Sequence, residues 1–159
     1  AAAAEGQGML RARLDEALKA AIKAKKPRRV STLRLILAAI KDRDIAARPE
    51  GNRDGVDEAE IHAILQKMVK QRRESIGLYE AGGRVELAAQ EAEEIEIIHE
   101  FLPQQLGEAE IKAAAEGVVA ELGATGLKDM GRTMAALKER YTGRMDFAKA
   151  SAIVKRLLG

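Results

Sequence analysis

From Val30 to Ile40 the chain reads Val-Ser-Thr-Leu-Arg-Leu-Ile-Leu-Ala-Ala-Ile, its most apolar run. Val30, Leu33, Ile36, Leu37 and Ile40 recur at helical spacing and make one wide stripe, while Leu35, Ala38 and Ala39 fall elsewhere on the cylinder. A helix apolar nearly all round is a buried one, so the run predicts a central helix that other helices cover. Leu10, Leu14, Leu18 and Ile22 recur every four residues and predict a first helix over about Leu10–Ala24. Pro27 ends it and suits the first turn of the second helix, which runs to about Ala47. Arg48 to Gly55 is a polar loop. Asp57, with Glu60 three residues on, approximates a capping box for a third helix reaching Ala81. Its inward stripe is Ile61, Ile64, Leu65, Met68, Ile76 and Tyr79, and Gly82-Gly83 stop it. A fourth helix runs from about Arg84 to Leu102, with Leu87, Ala88, Ile95 and Ile98 on one side.

Three shorter helices follow: about Glu108–Leu122, Leu127–Arg140, and one capped by Asp146. Ile111, Ala115, Val118, Leu137, Ile153 and Val154 are among their inward residues, enough for one small shared core. The expected fold class is all-α. An N-terminal helical domain of about four helices covers residues 9–103, and a small three-helix C-terminal domain covers 104–159. Ala1 to Gly8 reads as an expression remnant or a disordered N-terminus and is left out of the fold.

Composition agrees. Aromatic residues make up 3 % of the 159, and Ala, Leu, Ile, Glu, Lys and Arg dominate, which favours helix over strand. Cysteine is absent, which removes disulfides and cysteine-based metal sites or nucleophiles and suits a reducing compartment. No apolar run approaches the roughly 20 residues of a membrane span, and no signal peptide is visible. A cytoplasmic protein without membrane attachment is therefore expected.

The net charge of +2 hides an uneven distribution. Residues 1–56 carry 13 basic and 7 acidic side chains, residues 84–110 carry 1 and 8, and residues 111–159 carry 9 and 5. Either basic part could meet a polyanion; equally, the acidic segment could dock against a basic neighbour. Lys25, Lys26, Arg28 and Arg29 crowd the corner between the first two helices, either to contact phosphate or as a solvated turn.

A self-contained active site is hard to find. His62 and His99 lie on different helices, and no His-x-x-x-His or Glu-x-x-His pattern accompanies them, so no metal site is expected. Ser31, Ser75 and Ser151 have no histidine near in sequence, and the glycines form no phosphate-cradling motif. Arg34, Arg72 and Glu91 are set by spacing into or beside apolar stripes. They read as structural ion-pair candidates fixing how the second, third and fourth helices pack, or as a pocket presenting guanidinium groups to an anion.

Six segments stand in order along the chain: Ser31-Thr-Leu-Arg34, Lys70-Gln-Arg-Arg-Glu-Ser-Ile76, Tyr79-Glu-Ala-Gly-Gly-Arg84, Phe101-Leu-Pro-Gln-Gln-Leu106, Gly126-Leu-Lys-Asp-Met-Gly-Arg-Thr-Met134 and Thr142-Gly-Arg144. Together they resemble the stand-alone YqeY-like proteins, also known as the GatB/YqeY domain. The resemblance implies an all-helical, two-domain protein related to the tail of the B subunit of glutamine-dependent aminoacyl-tRNA amidotransferases. That tail is associated with holding tRNA. The resemblance therefore implies an accessory module that binds or handles tRNA in connection with tRNA amidation, in translation, without an active site or cofactor of its own. Two alternatives stand beside it. One is a protein–protein adaptor binding an amidotransferase or another translation protein. The other is a carbon–nitrogen ligase with glutamine as amido donor, by family inheritance only. The candidate RNA contacts are Lys25, Lys26, Arg28 and Arg29, then Lys128, Arg132 and Arg144 at helix ends and turns of the last third. Few aromatic rings are available for base stacking, which points to phosphate and shape recognition.

Overall fold

The computed structural model describes residues 2–51 and 55–159, and of residues 2–9 and Glu50 the backbone alone. The described residues are all-helical and divide into two compact units, the first ending at Leu102 and the second running Pro103–Gly159. The first unit holds α1 (Ala2–Lys23), α2 (Pro27–Ala47), α3 (Glu58–Ala81) and α4 (Val85–His99). The second holds α5 (Glu108–Leu122), α6 (Met130–Arg140) and α7 (Phe147–Leu158). Helix α1 starts ahead of Leu10, because the Ala-rich leader has high helix propensity. Residue 1 and residues 52–54 of the expected polar loop lie outside the described residues; ahead of them Arg48–Glu50 is a short 3-10 turn.

The helix boundaries have identifiable causes. Lys25 closes α1 in the left-handed region, at φ 55°. There the Lys26 amide reaches back to the Ala21 carbonyl at 3.1 Å, and Pro27 starts α2 directly afterwards. Asp57 accepts from the Glu60 amide at 2.9 Å and caps α3. Asp146 accepts from the amides of Ala148 and Lys149 and caps α7. At α5 it is Glu110 that accepts from the Gly107 amide, at 3.1 Å.

The first unit closes around Leu10, Leu14, Leu33, Ile36, Ile61, Leu65 and Ile98, all at most 2 % exposed. The second closes around Ile111, Ala115, Leu137, Met145 and Val154. Two expectations about packing fail for geometric reasons. Residues four apart advance about 40° beyond a full turn at each step, so over three steps Ile22 turns roughly 120° away from Leu10. Ile22 is 48 % exposed, while Ala21 holds the inner face. Helix α2 is not covered all round either. Leu33, Ile36 and Ile40 face inward, but Leu35, Ala38 and Ile45 lie on the opposite side, open to water. Arg34 shares that outer side, is exposed, and makes no ion pair among the described residues. It is not a buried packing residue, because position 34 falls about 100° from Leu33 and further still from Ile40.

Polar contacts lock the helices together. Arg11 on α1 donates two hydrogen bonds to Asp44 on α2, at 3.2 and 2.9 Å, and one to the Val56 carbonyl at 3.0 Å. The Val56 amide returns a bond to Asp44 at 2.8 Å. The Arg11 hydrogen bond, helped by the Val56 amide and opposed by burial, holds the Asp44 carboxyl below the usual carboxylate range. Arg72 on α3 donates from Nε to Glu94 on α4 at 2.9 Å, with Glu91 at 4.0 Å. Glu94 also faces Arg28 of α2 at 3.7 Å, so one carboxylate ties three helices.

Candidate nucleic-acid interface

The basic corner forms where α1 ends and α2 begins, and the fold splits its four cations two and two. Lys25 and Lys26 project into solvent and, among the described residues, have no carboxylate partner. Arg28 and Arg29 are engaged with the acidic helix α4. Arg28 lies 3.7 Å from Glu93 and from Glu94. Arg29 grips Glu100 with both terminal nitrogens, the longer bond at 3.1 Å. Arg13 on α1 reinforces this end of α4, donating to the Glu100 carbonyl at 3.0 Å with its guanidinium 5.4 Å from the Phe101 ring centre. The groove in front of the corner is therefore of mixed sign, with Glu93, Glu96 and Glu100 on one wall and Lys25, Lys26 and Arg28 on the other. A phosphate chain approaching Arg28 or Arg29 meets these carboxylates first.

The second unit carries its candidates on two turns. Asp129, buried at the start of α6, accepts from the Thr125 amide at 2.9 Å, the Gly126 amide at 3.4 Å and Arg132 Nε at 3.0 Å. The Thr125 amide first, then Arg132, hold its carboxyl below the ordinary range. This clasp fixes the turn that presents Lys128, which is exposed and has no carboxylate partner among the described residues. Arg132 spends its Nε on Asp129 and keeps half of its side-chain surface in water. Arg144 stands half-buried on the α6–α7 turn, donating from Nε to the Gln104 carbonyl at 3.3 Å while its own carbonyl accepts from the Leu106 amide at 2.7 Å.

Burial holds the His62 imidazole below the usual histidine range, opposed by the Glu58 carboxylate, and Nδ1 has no hydrogen-bond partner among the described residues. Burial does the same to His99, with the Arg73 charge adding to it. Among the described residues no three His, Cys, Asp or Glu side chains are grouped to hold a metal ion, and no helix is long and apolar enough to cross a membrane.

Sequence reasoning missed the partners rather than the cations. Glu93, Glu96 and Glu100 recur at helical spacing along α4 and its C-terminal cap, a stripe that could have been matched to the corner. Asp129 follows Gly126 by three residues, a spacing that suits a side chain reaching back to turn amides. Nothing local marks Asp44, whose partners lie 33 and 12 residues away.

The family model of YqeY-like proteins matches residues 11–158, nearly the whole chain. The chain belongs to the YqeY-like family. Among curated proteins it is similar to "Altered inheritance of mitochondria protein 41, mitochondrial" from three yeasts. The Lachancea thermotolerans protein is 35 % identical over 113 residues, 70 % of this chain and 58 % of that protein. The Eremothecium gossypii protein is 35 % identical over 117 residues, 72 % and 61 % respectively. The Candida glabrata protein is 33 % identical over 91 residues, 57 % and 48 %. The matches thus span about half to three fifths of each relative. All three relatives are mitochondrial by name, which overturns the expected cytoplasmic location. That expectation rested in part on the absence of cysteine, which specifies no compartment.

Proposed function

We propose that this YqeY-like chain is a binding module that holds tRNA in connection with glutamine-dependent tRNA amidation, with no reaction of its own. The observation that carries the reading is a set of cations without carboxylate partners among the described residues: Lys25 and Lys26 on the first unit, Lys128 and Arg144 on the second. Each stands at a helix end or turn; the lysines are exposed, and Arg144, its Nε held by the Gln104 carbonyl, keeps its terminal nitrogens for a phosphate. The supporting context is the family's kinship with the amidotransferase B-subunit tail. Arg28 and Arg29 take a lesser part, because binding RNA through them means competing with Glu93, Glu94 and Glu100. The scarcity of rings keeps recognition on phosphates and shape.

The test is a titration of the full chain with total tRNA at two salt concentrations, beside a Lys25→Ala/Lys26→Ala variant and a Lys128→Ala/Arg144→Ala variant. Four phosphate contacts predict a log–log salt slope of about −3, from roughly −0.7 to −0.9 per contact. Each double variant is expected to flatten the slope and weaken binding. Absence of saturable binding at low salt, or binding indifferent to both variants, rejects the reading.

A further inference from the structure

The outer side of α2 carries an apolar strip that the RNA reading does not use. Leu35 is 50 % exposed and Ile22, at the end of α1, 48 %. With Val30 and Ala38 they floor an open trough of about 960 Å³. Ala38 and Ile45, seven residues apart, share a helix face, and Ile45 is 47 % exposed, so the apolar strip continues along α2. From Ser31 to Ile45 it is roughly 20 Å long, the length of about four helical turns. The rim is cationic: Lys25, Lys26 and Arg34 border the trough, and no carboxylate lines it. Asp42 is the one acid on the outer side of α2 between Ser31 and Ile45.

We propose that this trough docks an amphipathic helix of a partner protein, with apolar residues on the seam and acidic residues along its flank. The shape and charge select this occupant. An elongated apolar floor with a charged border takes the apolar face of a helix, read as anchors at i, i+3 or i+4, and i+7. The rim cations have no carboxylate partner among the described residues, and they call for acidic flanks. A second copy meeting the same face two-fold offers a single acid of α2, Asp42, to three rim cations and leaves most of them unmatched. RNA finds no ring on the floor to stack against.

The probe is a fluorescein-labelled helical peptide of about 18 residues, long enough to lie along the strip, with leucines on the seam and glutamates on both flanks. It is titrated into the full chain and read by anisotropy. Saturable binding is expected, at least tenfold weaker for a twin peptide with lysine flanks and for Leu35→Gln, and about threefold weaker for Arg34→Gln. Circular dichroism checks that the variants stay folded; both positions are exposed, so they should. The inference is independent of the RNA reading, because Leu35→Gln leaves every candidate phosphate-binding cation in place and should leave tRNA binding unchanged. No saturable binding, equal affinity for both peptides, or an unaffected Leu35→Gln overturns the proposal. So does Leu35-dependent binding to phosphatidylglycerol vesicles, or Leu35-dependent dimerisation in sedimentation velocity, in place of peptide binding.

Discussion

Glu94 is the carboxylate on which α2, α3 and α4 converge, and its removal distinguishes the folded arrangement from the one expected from spacing, in which Glu91 was the partner of Arg72. The Arg72 side chain is 13 % exposed and that of Glu94 16 %. Breaking a fully buried pair from one side costs about 3–5 kcal/mol, and an exposed pair contributes about 0.2–1 kcal/mol. Arg72 and Glu94 lie nearer the buried limit, but Arg28 at 3.7 Å continues to compensate Glu94 when Arg72 is lost. Arg72→Met, which keeps the packed aliphatic stem, is therefore expected to destabilise the first unit by about 2 kcal/mol. Glu94→Gln removes both guanidinium contacts and should cost about 2–3 kcal/mol. Glu91→Gln, whose carboxylate stands at the 4.0 Å limit, should cost under about 0.5 kcal/mol. Chemical denaturation measures the totals, and the double variant should show about 1–2 kcal/mol of coupling between Arg72 and Glu94. Hydrogen exchange on α3 and α4 peptides assigns the loss to the first unit, with α5–α7 as internal control. If Glu91→Gln costs as much as Glu94→Gln, or Arg72→Met costs less than about 0.5 kcal/mol, the network does not join these helices as described.

Three further outcomes are expected. Asp44→Asn should cost about 1–2 kcal/mol near neutral pH, since it strips Arg11 and the Val56 amide of a partly exposed charged partner. Asp44 titrates below its unfolded value of about 3.9, so its stabilisation is complete above that value and disappears as pH falls through the lower folded one; the gap between wild type and Asn in denaturation midpoints should close over that acidic range. Lys25→Gly should stabilise by about 0.5–1 kcal/mol, because Lys25 sits at φ 55° where glycine is unstrained, whereas Lys25→Ala should give no such gain; thermal melts of the two separate this backbone effect from the shared loss of charge. Asp129→Ala should speed exchange of the Thr125 and Gly126 amides and weaken tRNA binding along with Lys128→Ala, by loosening the turn that presents Lys128; unchanged exchange there rejects the clasp.

The sequence by itself determined the helices and most of their ends, because those depend on neighbours. Periodicity marked α1–α7, Pro27 separated the first two, and Asp57 and Asp146 capped α3 and α7 as their positions suggested. The family was legible too, in short segments spread in order along the chain. What the tertiary structure decided is where each helix turns its faces and which charges meet. Spacing placed Ile22 and Leu35 among the buried residues, yet the precession of a four-residue repeat and the limited number of helices around α2 left both half in water. Spacing also gathered Lys25, Lys26, Arg28 and Arg29 into one corner. Only the fold brought Glu93, Glu94 and Glu100 from about 70 residues away to engage two of the four. A charge acts on whatever lies within a few ångströms of it, and that neighbourhood is set by helix packing rather than by position along the chain.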